Sequence, residues 1–425
     1  MQNKQNALKT RNRNKLHKLS LLLILTFIFI SILGLIGCGN SNENVISSNN
    51  ETIKKIQEKE EILEATINME ENENVGTQNK NIVVESKNSN VEKVNEETKE
   101  YENVTLAFVG DVYFSDDLYN NYVNHNNNVL GIMDETILNN FKDVDIMVAN
   151  HEYATTNVSN DKKDTRQLYN FKSPTEREFL WNELGVDVVS LANNHVLDYG
   201  KEGFFDTLNT LEEININAIG AGENLDKAME SYITTINGKK IAILAACKFV
   251  VDGDWYATED SLGVLTTYPS TRYFGLVKEE ITRLKEEEKC DFVITYVHFG
   301  VERQNTPNED QKTISYGYID AGADMVIGSH AHTLQGVEFY NGKPIYYNLG
   351  NFLFGSYKVD TIVLNIEINE DNTCKTSIIP CIAKGYKVNV PRDENYQRIL
   401  DYVESISINA SIDENGNVRK KLNNN

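Results

Sequence analysis

The sequence predicts an α/β domain between about residues 101 and 391, and three observations support this prediction. Short apolar runs alternate with helical patterns through this part of the chain, which is typical of α/β folds. The runs are apolar at nearly every position, as in strands that are buried on both faces. Clusters of His, Asp, Asn and Glu follow the ends of the runs, where sheets of this class bind their ligands.

The first 37 residues have the features of an export signal. Six basic residues and no acidic residue occur here, and an apolar run extends from residue 19 to residue 37. The run ends in Leu-Ile-Gly before Cys38, which resembles the lipobox of bacterial lipoproteins, where the cysteine receives lipid. This predicts a protein anchored through Cys38 to the outer face of the cell membrane. The alternative is an uncleaved transmembrane helix, and both interpretations place the following residues outside the cytoplasm.

Residues 38–100 are predicted to be a disordered, acidic and polar linker. They are rich in Asn, Glu, Lys and Ser and contain no proline. Such a segment cannot bury enough apolar surface to offset the entropy cost of ordering. We expect it to act as a tether between the membrane and the domain.

Five apolar runs are predicted to be strands, with helical patterns between them. The strands are predicted at residues 104–109, 146–149, 188–192, 292–297 and 325–329. The helices are predicted at residues 175–184, 201–214, 278–288 and 310–321. Residues 392–425 are predicted to be a closing helix followed by a frayed polar tail.

Residues that can bind a metal ion follow the predicted strands. They are Asp111, Asn150, His151, Glu152, Asn194, His195, His298, His330 and His332. Because the carboxyl ends of parallel strands meet, we expect these side chains at one edge of a single sheet. The histidines agree with this expectation: of seven in the chain, His17 lies in the signal, and only His125 lies outside both the signal and these clusters.

The residue types predict a role for each member of this set. Metal ligands are predicted at Asp111, Glu152, Asn194, His298, His330 and His332. Oxygen and imidazole ligands without thiolate suit one or two divalent ions of Mn, Fe or Zn. His195 is predicted to be a general acid. Asn150 would orient Glu152, and His151 is either a further imidazole ligand or a polar loop residue.

Two acidic residues near these clusters have less specific predictions. Glu302 is interpreted either as a partner for an imidazole N–H or as a solvated loop carboxylate. Asp198 is assigned to a turn or a helix cap.

Net charge and cysteine usage limit the partners and the covalent structure. A net charge of −22 disfavours binding to nucleic acid. The five cysteines include no CxxC pair. Cys374 and Cys381 therefore either form a disulfide, which an extracytoplasmic location permits, or remain buried thiols.

Six motifs occur in order along the domain and together resemble one family. They are Phe-Val-Gly-Asp at 108–111, Asn-His-Glu at 150–152, Ala-Asn-Asn-His at 192–195, His-Phe-Gly-Val-Glu at 298–302, Gly-Ser-His-Ala-His at 328–332 and Tyr-Asn-Leu-Gly-Asn-Phe at 347–352. They resemble the CapA-type bacterial capsule synthesis proteins, which are associated with poly-γ-glutamate and belong to the metallophosphatase-like (calcineurin-like) superfamily.

The resemblance implies both a fold and a biological role. The fold would be a layered sandwich with central, mostly buried β-sheets flanked by helices. The role would be biosynthesis or export of an anionic envelope polymer, poly-γ-glutamate, with membrane polymer synthase subunits as partners.

The chain departs from the family patterns at positions that bear on the metal site. Tyr113 replaces the His of the usual Asp-x-His motif, Glu152 replaces an Asp, and Val196 stands where an acid often follows. His151 replaces the usual aliphatic residue, and an Arg common after the first motif is absent. Two hypotheses result: a metal-dependent hydrolase acting on a phosphate, ester or amide group, and a non-catalytic accessory subunit that binds the polymer through the metal.

Overall fold

The computed structural model of this protein describes residues 102–421. The predicted signal, the lipid anchor at Cys38 and the linker lie outside the described residues. Within residues 102–421, no helix is both long and apolar enough to span a bilayer.

The described residues form twenty strands and eight α-helices. The strands are β1 Val104–Val112, β2 Ile146–His151, β3 Ala154–Thr155, β4 Lys172–Ser173, β5 Val188–Ser190, β6 Asn217–Ile219, β7 Ala221–Gly222, β8 Tyr232–Ile236, β9 Lys239–Cys247, β10 Gly263–Val264, β11 Phe292–Phe299, β12 Met325–His330, β13 Val337–Tyr340, β14 Lys343–Tyr346, β15 Asn351–Leu353, β16 Val359–Ile368, β17 Cys374–Lys384, β18 Lys387–Asn389, β19 Ala410–Ile412 and β20 Asn417–Lys420. The helices are α1 Asp116–Asn124, α2 Glu135–Asp143, α3 Phe179–Leu184, α4 Gly200–Glu213, α5 Leu225–Met229, α6 Arg272–Glu286, α7 Glu309–Asp320 and α8 Glu394–Ser405.

The larger sheet has ten strands and is mixed. Its main order is β19-β20-β17-β16-β1-β2-β5-β6, with β15 paired to β1 and β18 paired to β17. Strands β1, β2, β5 and β6 run parallel, whereas β16 runs antiparallel to β1. Strand β2 is buried at every position, as its continuous apolar run predicts.

The second sheet has six strands in the order β13-β14-β12-β11-β9-β8. Strands β9, β11, β12 and β14 run parallel, and β8 and β13 close the two edges as antiparallel strands. The expectation that the polar clusters follow the strands of a single sheet is therefore wrong. Strands β1, β2 and β5 belong to the larger sheet, and β11 and β12 belong to the second.

The two sheets pack against each other through one apolar core. The rings of Phe108 and Tyr296 meet edge to face across this core, with their centroids 5.7 Å apart. The Tyr296 hydroxyl also donates to the Val109 carbonyl oxygen at 2.6 Å, which satisfies a buried polar group. These contacts hold the carboxyl ends of the two parallel strand sets next to each other.

Helices cover the outer faces of the sheets. Val277 and Ile281 of α6 and Ile314 of α7 pack in a second apolar cluster on the far side of the six-stranded sheet. Ile137 and Phe141 of α2 pack against the larger sheet. The predicted layered α/β sandwich is confirmed.

The C-terminal segment is more ordered than its sequence suggests. The helical pattern after residue 392 forms α8, but the residues beyond it form the hairpin of β19 and β20. Strand β20 pairs with β17, and Val418 is buried. This differs from a frayed tail because strands of three or four residues are too short to show a periodic pattern.

The four described cysteines are free thiols, including Cys374 and Cys381. Both residues lie on β17, and seven residues of extended strand separate them by about 23 Å. No disulfide can bridge that distance.

Candidate metal centre

The predicted ligands converge where the carboxyl ends of β1, β2, β11 and β12 meet between the two sheets. Two groups can each hold a cation: Glu152, His298 and His330, and Asp111, Glu152 and His332. In each group, the candidate ligand atoms lie within 4.8 Å of one another. Glu152 belongs to both groups and is fully buried, so it would be a ligand of an ion held by either group.

Backbone geometry aims the two histidines of the Gly-Ser-His-Ala-His motif. His330 and His332 have φ angles of 92° and 54°, a left-handed region that non-glycine residues rarely adopt. The turn is held from both sides: His330 N–H donates to Asp111 Oδ1 at 3.3 Å, and Arg303 N–H donates to the Ala331 carbonyl at 2.7 Å. Strained backbone of this kind persists where surrounding contacts fix it, often at functional sites.

The first ligand group is compact and includes Asn194. His298 Nε2 lies 2.8 Å from Asn194 Oδ1, 3.0 Å from His330 Nδ1 and 3.6 Å from Glu152 Oε1. Atoms that share a cation are spaced by about 3 Å when each lies about 2.1 Å from it. His298 Nδ1 contacts Ser329 Oγ at 3.0 Å, which leaves Nε2 as the nitrogen facing the other ligands.

The second group has three candidate ligands among the described residues. His332 Nδ1 lies 3.2 Å from Asp111 Oδ2 and 2.7 Å from Asn351 Oδ1, and its Nε2 lies 3.7 Å from Glu152 Oε1. Tyr113 does not join the group, since it donates its hydroxyl to the Lys172 carbonyl at 3.2 Å. Sequence analysis did not assign a role to Asn351, although it belongs to the motif at 347–352.

The electrostatics of this cluster fit a bound divalent cation. Glu152 Oε1 is buried and has no hydrogen-bond partner among residues 102–421, and buried Asp111 Oδ2 lies 3.2 Å from the His332 imidazole. Burial and the neighbouring Asp111 raise the pKa of Glu152 well above its usual value. Burial opposes ionisation of Asp111, but His332 and Asn150 outweigh it and lower the pKa.

The imidazoles of His298 and His330 are in the neutral form that binds metal. Burial and the neighbouring histidines lower the pKa of His298 well below its ordinary value, and burial lowers that of His330 to about 3. Both rings are therefore neutral and have a lone pair to offer. A buried Glu152 oxygen without a donor, beside the neutral rings of His298 and His330, is an arrangement that a cation satisfies.

Asn150 lies where an orienting residue is expected. Its Nδ2 donates to Asp111 Oδ1 at 2.9 Å and to Glu152 Oε2 at 3.1 Å. Asn193 in turn donates to Asn150 Oδ1 at 3.2 Å. One amide thus fixes a carboxylate from each ligand group.

His151 does not join the ligands, so its interpretation as a further imidazole ligand is wrong. Its Nε2 lies 3.0 Å from Thr155 Oγ1 and 3.3 Å from Glu178 Oε2, and its ring stacks on Tyr153. The physical reason is strand alternation: Asn150 and Glu152 point to one face and His151 points to the other.

His195 is paired with a carboxylate that sequence analysis assigned to a turn or cap. Its Nδ1 lies 2.7 Å from Asp198 Oδ2, and both side chains are almost fully buried. Asp198 also accepts from the Phe171 N–H at 2.6 Å and from Gln167 Nε2 at 3.0 Å. With Nδ1 engaged, Nε2 is the nitrogen available for proton transfer. The spacing of three residues was the signal in the sequence that could have revealed this pair.

Glu302 does not supply a hydrogen bond to any site imidazole in the described residues. Ser329 Oγ contacts His298 Nδ1, and Asn351 Oδ1 contacts His332 Nδ1, so these two residues are the imidazole partners in place of Glu302. Glu302 is exposed, yet its charge contributes to the raised pKa values of Glu152 and His332. It is therefore a solvated carboxylate at the entrance of the site.

The fold and the ligand cluster define a layered α/β protein with a candidate centre for one or two metal ions. The chain belongs to the family of bacterial capsule synthesis proteins described as PGA_cap, whose model matches residues 105–356. That range contains all the candidate ligands, together with His195 and Asp198.

Relatives with assigned names agree with this membership. The chain is 27% identical over 301 residues to the capsule biosynthesis protein CapA of Bacillus anthracis, covering 66% of this chain and 68% of that protein. It is 30% identical over 267 residues to the PGA biosynthesis protein CapA of Bacillus subtilis, covering 61% and 67%. It is 33% identical over 170 residues to a "probable polyglutamine synthesis accessory protein" of Mycobacterium tuberculosis, covering 39% and 44%.

Proposed function

We propose that this chain is a membrane-anchored, extracytoplasmic protein of capsule synthesis that cleaves or transfers a group of an anionic envelope polymer by metal-dependent chemistry. Family membership supports the role in capsule synthesis. The relatives are named for capsule biosynthesis, PGA biosynthesis and polyglutamine synthesis, and these names, together with the sequence resemblance, support poly-γ-glutamate as the proposed polymer. The observation that carries the chemistry is that buried Glu152 is shared by two ligand groups, near the His195–Asp198 pair.

The ligand set indicates what the centre would hold. Asn194, Glu152, His298 and His330 would bind one divalent ion, and Asp111, Glu152 and His332 a second. Nitrogen and oxygen ligands of this kind suit Mn, Fe or Zn. A bound divalent ion would supply Lewis acidity and a water of lowered pKa.

The remaining chemistry belongs to side chains of this chain. His195 would donate a proton from Nε2 to the leaving group, and Asp198 would hold the ring and stabilise the imidazolium that precedes the transfer. Asn150 fixes both carboxylates before substrate arrives. The Phe171 ring packs on the His195 ring, with centroids 4.4 Å apart, and helps to hold it in position.

The location is part of the proposal and rests on the N-terminal sequence. Lipid on Cys38 and the tether at residues 38–100 would place the site near membrane synthase subunits that release the polymer. Replacing Cys38 by Ser should then move the protein from the membrane fraction to the soluble extracytoplasmic fraction.

Turnover tests the catalytic part of the proposal. The full chain, supplied with Mn, Fe or Zn, is assayed for phosphate release from phosphomonoesters and diesters and for shortening of poly-γ-glutamate. His195→Gln should lower turnover by about 10²- to 10⁴-fold and leave metal content unchanged. His125→Gln is the matched control, because His125 is exposed at the end of α1. Equal loss of metal in His195→Gln would show that His195 is not the acid.

One observation favours a second candidate function. Tyr113 turns its hydroxyl to a backbone carbonyl, which leaves the second ligand group with three candidate ligands. A less complete centre suits an accessory subunit that grips polymer carboxylates through the cation without cleaving the chain. Polymer binding that a chelator abolishes, without turnover on any substrate, would favour this function.

A further inference from the structure

An aromatic ring packs on each of three site histidines. Phe249 stacks on His330, and Phe354 packs on His332 in a tilted arrangement, with ring centroids 5.0 Å apart in both pairs. Phe171 lies on His195 at 4.4 Å and meets Phe354 edge to face at 5.3 Å. We call Phe171, Phe249 and Phe354 the aromatic collar.

The rings of the aromatic collar remain partly exposed to solvent although they pack on the histidines. Phe249 is 43% exposed, and Phe171 and Phe354 are half-buried. The backbone next to Phe249 is fixed, since the Lys248 N–H donates to the His298 carbonyl at 2.8 Å and the Cys247 thiol donates to the Phe249 carbonyl at 2.7 Å. The ring is therefore held partly in water beside the site, where burial by a ligand is favourable.

Charge limits what can bind there. The chain has a net charge of −22, so an anionic polymer is repelled at long range and needs short-range contacts for binding. Exposed Arg303 has no ion pair with any residue among 102–421, and its backbone is bonded to the turn that carries His330 and His332. Arg303 is thus attached through its backbone to the turn that carries His330 and His332, and its exposed guanidinium can pair with a carboxylate.

We propose that the aromatic collar binds the backbone of a polyamide chain, with amide planes and methylene groups packed on the rings. The carboxylates of that chain would point to solvent and to Arg303. This inference rests on the proposed function for the polymer, and it names the part of the polymer that the site recognises. Recognition of the backbone places an amide beside the candidate metal ligands, as cleavage or transfer at the backbone requires.

Binding of two polymers that share carboxylates but not backbones tests this inference. The full chain is titrated with fluorescently labelled poly-γ-glutamate and with polyacrylate of similar length, which has no amide. Phe249→Ala should weaken binding of poly-γ-glutamate by about tenfold and leave polyacrylate binding unchanged. Phe249→Tyr, which keeps the ring, should retain affinity. Phe205→Ala is the matched control, since Phe205 is 40% exposed on α4.

Three results would overturn the inference. The first is that the unaltered chain does not bind poly-γ-glutamate. The second is that the unaltered chain binds both polymers equally and Phe249→Ala has no effect. The third is that Phe249→Ala loses metal, which would show that the ring only supports His330. The proposed function has separate readouts, because metal content and turnover of small phosphoesters do not depend on polymer backbone contacts. A chain without metal or turnover could still prefer poly-γ-glutamate over polyacrylate. A chain with metal and turnover could also lack this preference.

Discussion

At the scale of residues, side chains at the end of β2 alternate between the two faces of the sheet, so that three consecutive residues have different roles. Asn150 and Glu152 face the ligand cluster, whereas His151 faces Glu178 and Tyr153 behind the sheet. Sequence reasoning identifies residues of the right chemistry at strand ends. It does not determine on which side of the strand each one lies unless the register is known.

Asp198 is the residue-scale feature that a substitution can test most directly. Asp198→Asn should lower turnover by about 10²- to 10⁴-fold, because the His195 ring loses its carboxylate partner and its preferred tautomer. Asp198→Glu should restore part of the activity, a result that a purely structural role would not give. Metal content should stay constant in both variants.

A cap residue provides the control for this substitution. Asp134 accepts the Thr136 N–H at 2.8 Å at the start of α2, and Asp134→Asn should leave turnover unchanged. An Asp198→Asn variant that is fully active, or one that is inactive only because it has lost its metal, would contradict the role of Asp198.

At the scale of elements, the close approach of β1 to the chain before β15 fixes Asp111. A Cβ at Gly110 would overlap the carbonyl oxygen of Gly350. Gly110→Ala should therefore lower the free energy of unfolding by about 1–3 kcal/mol and reduce metal content by displacing Asp111. Thermal unfolding and metal analysis of the same sample measure both effects.

Gly275→Ala is the matched control, because Gly275 lies in α6 with open space around its Cα. This variant should be as stable as the unaltered chain or more stable, since alanine favours a helix. A Gly110→Ala protein with full metal content and unchanged stability would show that the contact with Gly350 does not position Asp111.

Helix α7 begins at a capping box formed by Asn308 and Gln311. Asn308 Oδ1 accepts the Gln311 N–H at 2.8 Å, and Gln311 Oε1 accepts the Asn308 N–H at 3.1 Å. Asn308→Ala should cost about 1 kcal/mol of unfolding free energy, and Asn308→Asp should cost less because it retains the acceptor. Denaturant unfolding of both variants measures the difference, and equal stabilities would contradict a capping role.

Strand β9 shows which elements sequence patterns cannot identify. Its sequence, Lys-Lys-Ile-Ala-Ile-Leu-Ala-Ala-Cys, combines good helix formers with apolar strand residues, so neither pattern dominates. The strand lies between β11 and the edge strand β8 in the six-stranded sheet and leads to Phe249. Because β9 was not predicted, neither the assignment of β11 and β12 to a separate sheet nor the position of Phe249 could be inferred from the sequence.

At the scale of the whole molecule, the sandwich brings together residues that two separate sheets position. The sequence predicted the layered class, and it predicted α4 (Gly200–Glu213 against 201–214) and α7 (Glu309–Asp320 against 310–321) to within one residue. It placed the start of α6 six residues too late and did not predict α1, α2 or α5. It could not divide the strands between sheets, because pairing depends on long-range contacts that periodicity does not encode. Asn351 and Ser329 escaped assignment for the same reason, since their roles depend on partners distant in sequence.

Metal content measured by mass spectrometry on the purified full chain tests the central claim most directly. The two ligand groups predict about one or two equivalents of a transition metal. They also predict loss of nearly all metal in Glu152→Gln and in His330→Ala/His332→Ala, but not in the control His125→Ala. Less than about a tenth of an equivalent in the unaltered chain, even after reconstitution with Mn, Fe and Zn, would contradict a metal centre. Full occupancy in Glu152→Gln would contradict the shared ligand.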